Sequence, residues 1–425
     1  MYPLIGSNAS EDPSALHKCL LPLGNRPMIL HLLAALQACV VGQVLIVTAP
    51  RTVSKLSAVV RNAHLTLDVQ IIPDTEGIMG DEEEEEETSP MRAFRAARNF
   101  LKGDFVVLPC DLMVFAPNDS SQDVFVQIFN ELADLHRLHN SNMTTVLLKD
   151  PKLDPEDDSV DRVLTAYSPL AISCQRDEEC EVTRLLKLTG VGDLEESIRM
   201  RMNLLEKFPR IKFNSRLVDL HWYYFSYECA KTLLEDELPK PHEWSIREDF
   251  IPKVIRRSII SEATGQCILR ILPVNGERMI LRANSLPSWA ECNRQYAIRF
   301  APMTLQRIPA SSEVLGKNAI GNDALLGEHC RLADKVLVKR SVLGNHVHVA
   351  SSAKLVNSVI LDNTVVEDSV KLDNCVIGPR AVIHSKAVLK DCFVAPGTVV
   401  AAETNAKGET LTSAVGAKQL DDLFD

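Results

Sequence analysis

A chain of 425 residues, 46% of them hydrophobic and 24% charged, has the composition of a soluble globular protein and is long enough for two or three domains. Its net charge of −11 excludes the basic footprint of a nucleic-acid-binding protein, and no apolar run has the length of a bilayer span or the pattern of a secretory leader, so the chain is expected in the cytosol. The eleven cysteines are odd in number, scattered and never spaced Cys-x-x-Cys, which points to reduced thiols rather than bridges or a zinc site.

In chain order, the first readable stretch is the loop Lys18-Cys19-Leu20-Leu21-Pro22-Leu23-Gly24-Asn25-Arg26-Pro27-Met28. It precedes an apolar helical pattern through Leu30, Leu33, Ala34 and Leu36 and a buried strand at 44–47. The acidic run at 81–87, next to Thr88 and Ser89, reads as a solvated loop, with contact to a basic partner or phosphorylation as the weaker reading. Residues 104–111 read as a second buried strand with Asp111 at its C-terminal end. Strands alternating with helices predict a parallel sheet, in which ligands bind beyond the carboxyl ends of the strands, the position expected for Asp111. The helical pattern at 124–138 carries His136, with His139 just beyond it; no third ligand is near in sequence, so no metal site is predicted. A strand at 217–225, a helix at 249–255 and a proline-containing connection follow.

From residue 308 to 400 the same aliphatic positions return every seventeen residues, after a first interval one residue longer that begins at Ile308, Val314 and Ile320. One column is Leu326, Leu343, Ile360, Ile377 and Val394, a second Leu332, Val349, Val366, Ile383 and Val400, and a third Val338, Leu355, Leu372 and Leu389. Three columns five or six residues apart predict a three-cornered coil, the hexapeptide pattern of a parallel β-helix, in which stacked coils bury an aliphatic column that one coil cannot. Small or β-branched residues, among them Val342, Val359, Ala353 and Ala387, fall four positions later. Gly327, Gly344 and Gly378 share one corner, where a positive φ or tight turn is expected. His346 and His348 read as solvated turn residues, and Cys375 and Cys392 as small residues sharing a column. Leu420, Leu423 and Phe424 are candidates for an apolar clasp over the last coil.

The loop at 18–28, the strand 44–47 followed by Thr48, residues 245–252, the run Val338-Lys339-Arg340-Ser341-Val342-Leu343-Gly344 and the closing Gln419-Leu420 together carry a resemblance. The chain resembles the sugar-nucleotide pyrophosphorylase superfamily and, within it, the gamma-subunit family of translation initiation factor 2B. The resemblance implies an α/β fold: a Rossmann-like, nucleotidyltransferase-like domain over 1–265, a connection at 266–307, a left-handed parallel β-helix at 308–404 and a tail at 405–425. A nucleotidyltransferase needs backbone N–H groups around the triphosphate, a lysine against its charge and a carboxylate for magnesium. Lys18 and Asp111 match the lysine and the carboxylate and are expected to be vestiges of a nucleotide cleft. The Gly-rich loop and first strand are expected to be missing, because Met1-Tyr2-Pro3-Leu4 resembles the segment just after that loop. The insertion at 5–17 and the glutamates at 82–87 are further departures from the enzymes.

The resemblance therefore implies a non-catalytic subunit without cofactor or metal, supporting GDP/GTP exchange on initiation factor 2. Its implied partners are an epsilon subunit, as a heterodimer, the alpha, beta and delta subunits, and initiation factor 2 in its GDP-bound or phosphorylated form; neither nucleic acid nor membrane is a direct partner. The alternative is a sugar-1-phosphate nucleotidyltransferase or its regulatory subunit.

Overall fold

The computed structural model describes residues 17–39, 41–74, 90–116, 121–149, 161–169, 182–191, 200, 202–236, 245–260, 265–273, 279–300 and 307–412. The opening residues, the acidic run at 81–87 and the clasp residues Leu420, Leu423 and Phe424 lie outside them. The described residues fall into two compact units, one within Leu32–Val114 and Gln122–Ile280, the other within Gly6–His31, Phe115–Ser121 and Leu281–Asp425.

The chain enters through a hairpin, β1 (Pro22–Leu23) and β2 (Arg26–Pro27), which runs into α1 (Met28–Ala38). In the first unit β3 (Gln43–Thr48), α2 (Pro50–Asn62) and β4 (Asp68–Pro73) form a β-α-β unit whose strands pair in parallel, Val44 opposite Val69 and Val47 opposite Ile72. Pro50 at the start of α2 has no N–H to leave unsatisfied, which suits the first turn of a helix. Then come α3 (Pro90–Ala97), β5 (Phe105–Val107), β6 (Leu112–Phe115) and α4 (Ser121–Leu138). They are followed by β7 (Met143–Lys149), β8 (Arg162–Pro169), β9 (Val182–Gly190), α5 (Met202–Lys207), β10 (Lys212–Phe225) and α6 (Tyr227–Asp236). A π-turn at Ile246–Phe250 leads into α7 (Ile251–Ile260) and β11 (Cys267–Pro273).

The main sheet has the order β5-β10-β7-β11-β9-β8 and is mixed, which corrects the all-parallel expectation. Among the described residues β7 and β11 are its one parallel pair of neighbours; the fourteen-residue β10 is antiparallel to β5, β7 and β8. Alternation of strands and helices along a sequence fixes layers, not direction, and a long strand inserted between earlier ones reverses it. The stretch expected to connect the domains at 266–307 supplies β11 to the centre of this sheet. Leu147, Leu185, Tyr223 and Leu269 pack against Ile251, Val254 and Ile255 of α7, all nearly or wholly buried. Ser245 starts this segment: its Oγ accepts the N–H of Glu248 at 3.4 Å while its own N–H donates to Asp249 Oδ2 at 2.7 Å, a reciprocal cap that accounts for the Ser and Asp of the run 245–252.

The second unit is built on the β-helix. After β12 (Met279–Arg282) and α8 (Leu286–Phe300), seventeen short strands, β13 (Glu313–Val314) to β29 (Thr410–Leu411), make three parallel sheets of six, six and five strands. The register is the seventeen-residue repeat itself: Leu343 lies opposite Ile360, Val349 opposite Val366, Leu355 opposite Leu372. The first interval is one residue longer, with Val314 opposite Leu332 and Ile320 opposite Val338. Every member of the three columns is buried in one continuous cluster, consistent with the left-handed β-helix expected. Val342 and Val359 are buried too but outside that cluster; Val342 lies with Leu325 beneath Ala297 of α8.

The corners correct the reading of the glycines. The left-handed backbone positions are held by residues such as His346, Ser352, Asn357, Asn363, Asn374 and Asp391, and Gly327, Gly344 and Gly378 are not among them. These three glycines are needed for close approach instead. A Cβ on Gly327 would stand 2.4 Å from the carbonyl oxygen of Gly344, and one on Gly378 2.6 Å from the nitrogen of Pro396. Two side-chain ladders reinforce the stack: Asn357 donates to Asn374 at 3.1 Å and Asn374 to Asp391 at 2.7 Å, while the Ser341 hydroxyl accepts from the Ser358 amide and the Ser358 hydroxyl from the Cys375 amide.

Candidate functional site

The loop at 18–28 is the most specific motif of the sequence, and the second unit holds it. Gly24 and Asn25, with φ of 57° and 63°, occupy the two central positions of the β1–β2 hairpin, the conformation a two-residue hairpin turn demands. The Gly24 N–H donates to Asn293 Oδ1 of α8 at 3.0 Å, and the Asn25 side-chain amide donates to the Leu343 carbonyl of the β-helix at 2.7 Å. Gly24 also lies flat against a ring: a Cβ there would meet Tyr296 at 2.2 Å. From α8, Asn293 donates to the Pro22 carbonyl and Arg294 to the Asn357 carbonyl. In the run 338–344, Val338 and Leu343 fill the column, Ser341 serves the ladder, Val342 receives α8, and Gly344 makes room for the next coil.

Lys18 belongs to this unit. It is 6% exposed, and its Nζ donates to the Asn284 carbonyl at 2.9 Å. Burial pushes the neighbouring Cys19 thiol up to about 12, which keeps it protonated and unreactive at neutral pH. His31 at the hairpin's exit bonds through Nε2 to the Leu23 carbonyl at 2.9 Å and meets Tyr296 edge-on; burial pushes its pKa down to about 4.

Asp111 belongs to the first unit. It is fully buried, directly after buried Cys110 and before β6, and the strand expected over 104–111 is shorter, with only Phe105–Val107 in the ladder. His136 is buried, with Nδ1 bonded to Thr144 Oγ1 at 3.0 Å. In the β-helix the rings of His329 and His346 stack at 5.1 Å, and His348 is exposed. Among the described residues no three His, Cys, Asp or Glu side chains are grouped to hold a metal, and none of the nine described cysteines is joined in a disulfide. No described helix is long and apolar enough to cross a membrane.

One polar cluster was not read from the sequence. At the bulge of β10, between Asp219 and Tyr223, His221 takes a φ of 51°. Fully buried Asp219 accepts the His221 N–H at 2.8 Å and a short hydrogen bond from the Tyr223 hydroxyl. Asp161 Oδ2 lies 3.4 Å from His221 Nε2, and its Oδ1 lies 3.7 Å from Arg247 Nη1. These groups tie the bulge to the start of β8 and to the turn before α7. The signal in the sequence was an aspartate and a histidine, Asp219 and His221, inside an otherwise aliphatic and aromatic strand at 217–225.

The two units thus define a nucleotidyltransferase-like protein with a C-terminal β-helix. Residues 7–147 match the MobA-like NTP transferase domain and residues 306–410 the GMPPB C-terminal domain. Over 364 residues, 79% of this chain and 70% of the relative, the sequence is 27% identical to translation initiation factor eIF2B subunit gamma of Schizosaccharomyces pombe.

Proposed function

We propose that the chain is a non-catalytic, gamma-type subunit of a guanine-nucleotide exchange complex, supporting GDP/GTP exchange on initiation factor 2 together with an epsilon subunit. The observation that carries this reading is the state of Lys18. Its ammonium is buried on a backbone carbonyl, and the loop around it is fastened to α8 and to the β-helix. A lysine that neutralises a triphosphate must present its charge to the ligand. The likeness to a gamma subunit, which spans 79% of the chain, supports the same reading. On it, the alpha, beta and delta subunits and initiation factor 2, including its phosphorylated form, are the further partners, the complex works in the cytosol, and Lys18 and Asp111 are vestiges.

A sugar-1-phosphate nucleotidyltransferase is the second reading, favoured by the match of residues 7–147 to an NTP transferase domain. Two assays separate them. With magnesium and a panel of sugar phosphates, the purified chain should release no pyrophosphate from GTP, ATP or UTP; turnover abolished by Asp111→Ala would establish the transferase. Co-expressed with an epsilon subunit, the chain should form a stable pair whose exchange activity exceeds that of epsilon alone. A chain that neither binds epsilon nor alters its exchange rate would end the exchange reading.

A further inference from the structure

One sheet of the β-helix sets its outward charges like on like. After β14 (Ala319–Ile320) its strands are β16 (Leu337–Lys339), β19 (Lys354–Val356), β22 (Lys371–Asp373), β25 (Val388–Lys390) and β28 (Asn405–Lys407). Val338, Leu355, Leu372, Leu389 and Ala406 turn into the column, and side chains alternate along a strand, so the residues on either side of each face outward. Those outward positions carry one lysine in each successive coil, Lys339, Lys354, Lys371, Lys390 and Lys407, all exposed. The register sets Lys354 directly beside Lys371 and Lys390 directly beside Lys407, one strand spacing of about 4.8 Å apart. Like charges side by side on one face destabilise a sheet, and at a distance inside the Debye length of about 8 Å salt screens them only in part. Asp373 is the one acid at these outward positions, 4.0 Å from Lys390, and of the five lysines Lys390 alone has an ion-pair partner among the described residues.

Elsewhere the β-helix pairs opposite charges from coil to coil. Arg331 meets Glu313 at 3.3 Å, Arg340 meets Asp323 at 3.7 Å, and His384 with Glu367 and Lys386 with Glu403 each stand at 2.9 Å. A stack that relieves its charges this way on its other surfaces, yet sets lysine on lysine here, holds a repulsion that a line of negative charge laid across the coils would remove.

We propose that this face docks an acidic segment of a partner protein, running along the β-helix axis from Lys339 to Lys407. Four strand spacings separate these two lysines, about 19 Å, which an extended segment of about six residues covers. Between the lysine stems lie Leu337, Val356 and Val388, half-buried and aliphatic, so the segment that fits is acidic with an aliphatic residue among its carboxylates. Nucleic acid fits less well: these outward positions offer no aromatic ring for a base to stack on and no arginine, and the chain's net charge of −11 opposes a long polyanion. A second copy of the chain is disfavoured as well, since a two-fold pairing of this face would bring lysines against lysines.

The probe is the fluorescein-labelled peptide Asp-Glu-Leu-Glu-Asp-Glu-Leu-Glu, titrated with the whole purified chain and read by anisotropy at about 50 and about 300 mM sodium chloride. It should bind, less tightly at the higher salt, and its counterpart with Asn and Gln in place of Asp and Glu should not. Lys354→Gln with Lys371→Gln should weaken binding about tenfold, whereas Arg331→Gln with Lys386→Gln, which removes the same charge outside this face, should change it by no more than about twofold. Because Lys354 and Lys371 repel each other, their joint replacement should leave the midpoint of urea unfolding unchanged or raised. No binding, equal weakening by the two variants, or a lowered midpoint for the Lys354 and Lys371 variant would overturn the proposal, the last because the lysines would then serve the fold. So would a thymidine oligonucleotide or phosphatidylserine vesicles that bind the chain more tightly than the peptide and are lost in the same variant, since nucleic acid or a membrane would then be the occupant.

Discussion

The side-chain amide of Asn25 donates to the carbonyl oxygen of Leu343, 318 residues further along the chain, at 2.7 Å. A hairpin turn of two residues is thereby fixed to a coil of the β-helix, and the fixing depends on residues that tolerate a left-handed backbone. Asn25→Ala removes the hydrogen bond and places an alanine at positive φ, a combined cost of about 2 kcal/mol. Asn25→Gly removes the bond but relieves the backbone, so it should cost about half as much. Calorimetric unfolding of the two variants checks the order; equal losses would mean that the backbone conformation contributes nothing.

Gly344 and Gly397 of the β-helix are needed for different reasons, and substitution separates them. Gly344 is excluded by its surroundings, since an added Cβ would stand 2.3 Å from Asp362 Oδ1 and 2.7 Å from the Asp362 nitrogen. Gly397 has open space around it but a φ of 66°. Gly344→Ala should lower stability by several kcal/mol through displaced backbone, whereas Gly397→Ala should cost only about 1 kcal/mol of left-handed strain, and Gly397→Asn less. Urea unfolding would show the difference as a shift of midpoint.

Leu355 is wholly buried in the aliphatic column. Leu355→Asp would place an unpaired carboxyl among aliphatic side chains, at a cost of several kcal/mol or more. Loss of the β-helix with retention of the α/β unit is the expected result, read by limited proteolysis; a variant with unchanged thermal stability would remove Leu355 from the column.

His31 makes stability depend on pH. Its pKa falls from 6.5 to about 4 on folding, mainly because burial disfavours the imidazolium, so the unfolded chain binds a proton that the folded chain refuses. The contribution is fully present above pH 6.5 and is lost progressively as the pH falls towards 4, by about 3 kcal/mol at most. His31→Phe keeps a ring against Tyr296 and removes the titration. The slope of stability between pH 6.5 and 4 should flatten in that variant, as followed by chemical denaturation at each pH.

Much of this protein was legible in the sequence, for reasons that differ between its parts. The β-helix was legible because its pairing is its period: the residue seventeen positions on is also the neighbour in space, so Leu343 and Ile360 reveal in sequence what they do in structure. The short-range elements followed for a similar reason, since the helix from Met28 and the strand ending at Thr48 are set by local apolar patterns. Strand direction was not legible. Whether β10 runs with or against β7 is decided by which partner buries it, and the bulge that gathers Asp219, His221 and Tyr223 exists only once β10 bends between β7 and β8. Nor did the residue type of Gly327, Gly344 and Gly378 disclose its cause, because a glycine needed for left-handed backbone and one needed for close approach are the same letter. The sequence by itself determined the repeat, the aliphatic columns and the loop at 18–28. Only the tertiary structure decided that the loop's polar groups are satisfied by Asn284, Asn293 and Leu343, since hydrogen bonds to residues hundreds of positions away are chosen by packing and leave no periodic trace in the chain.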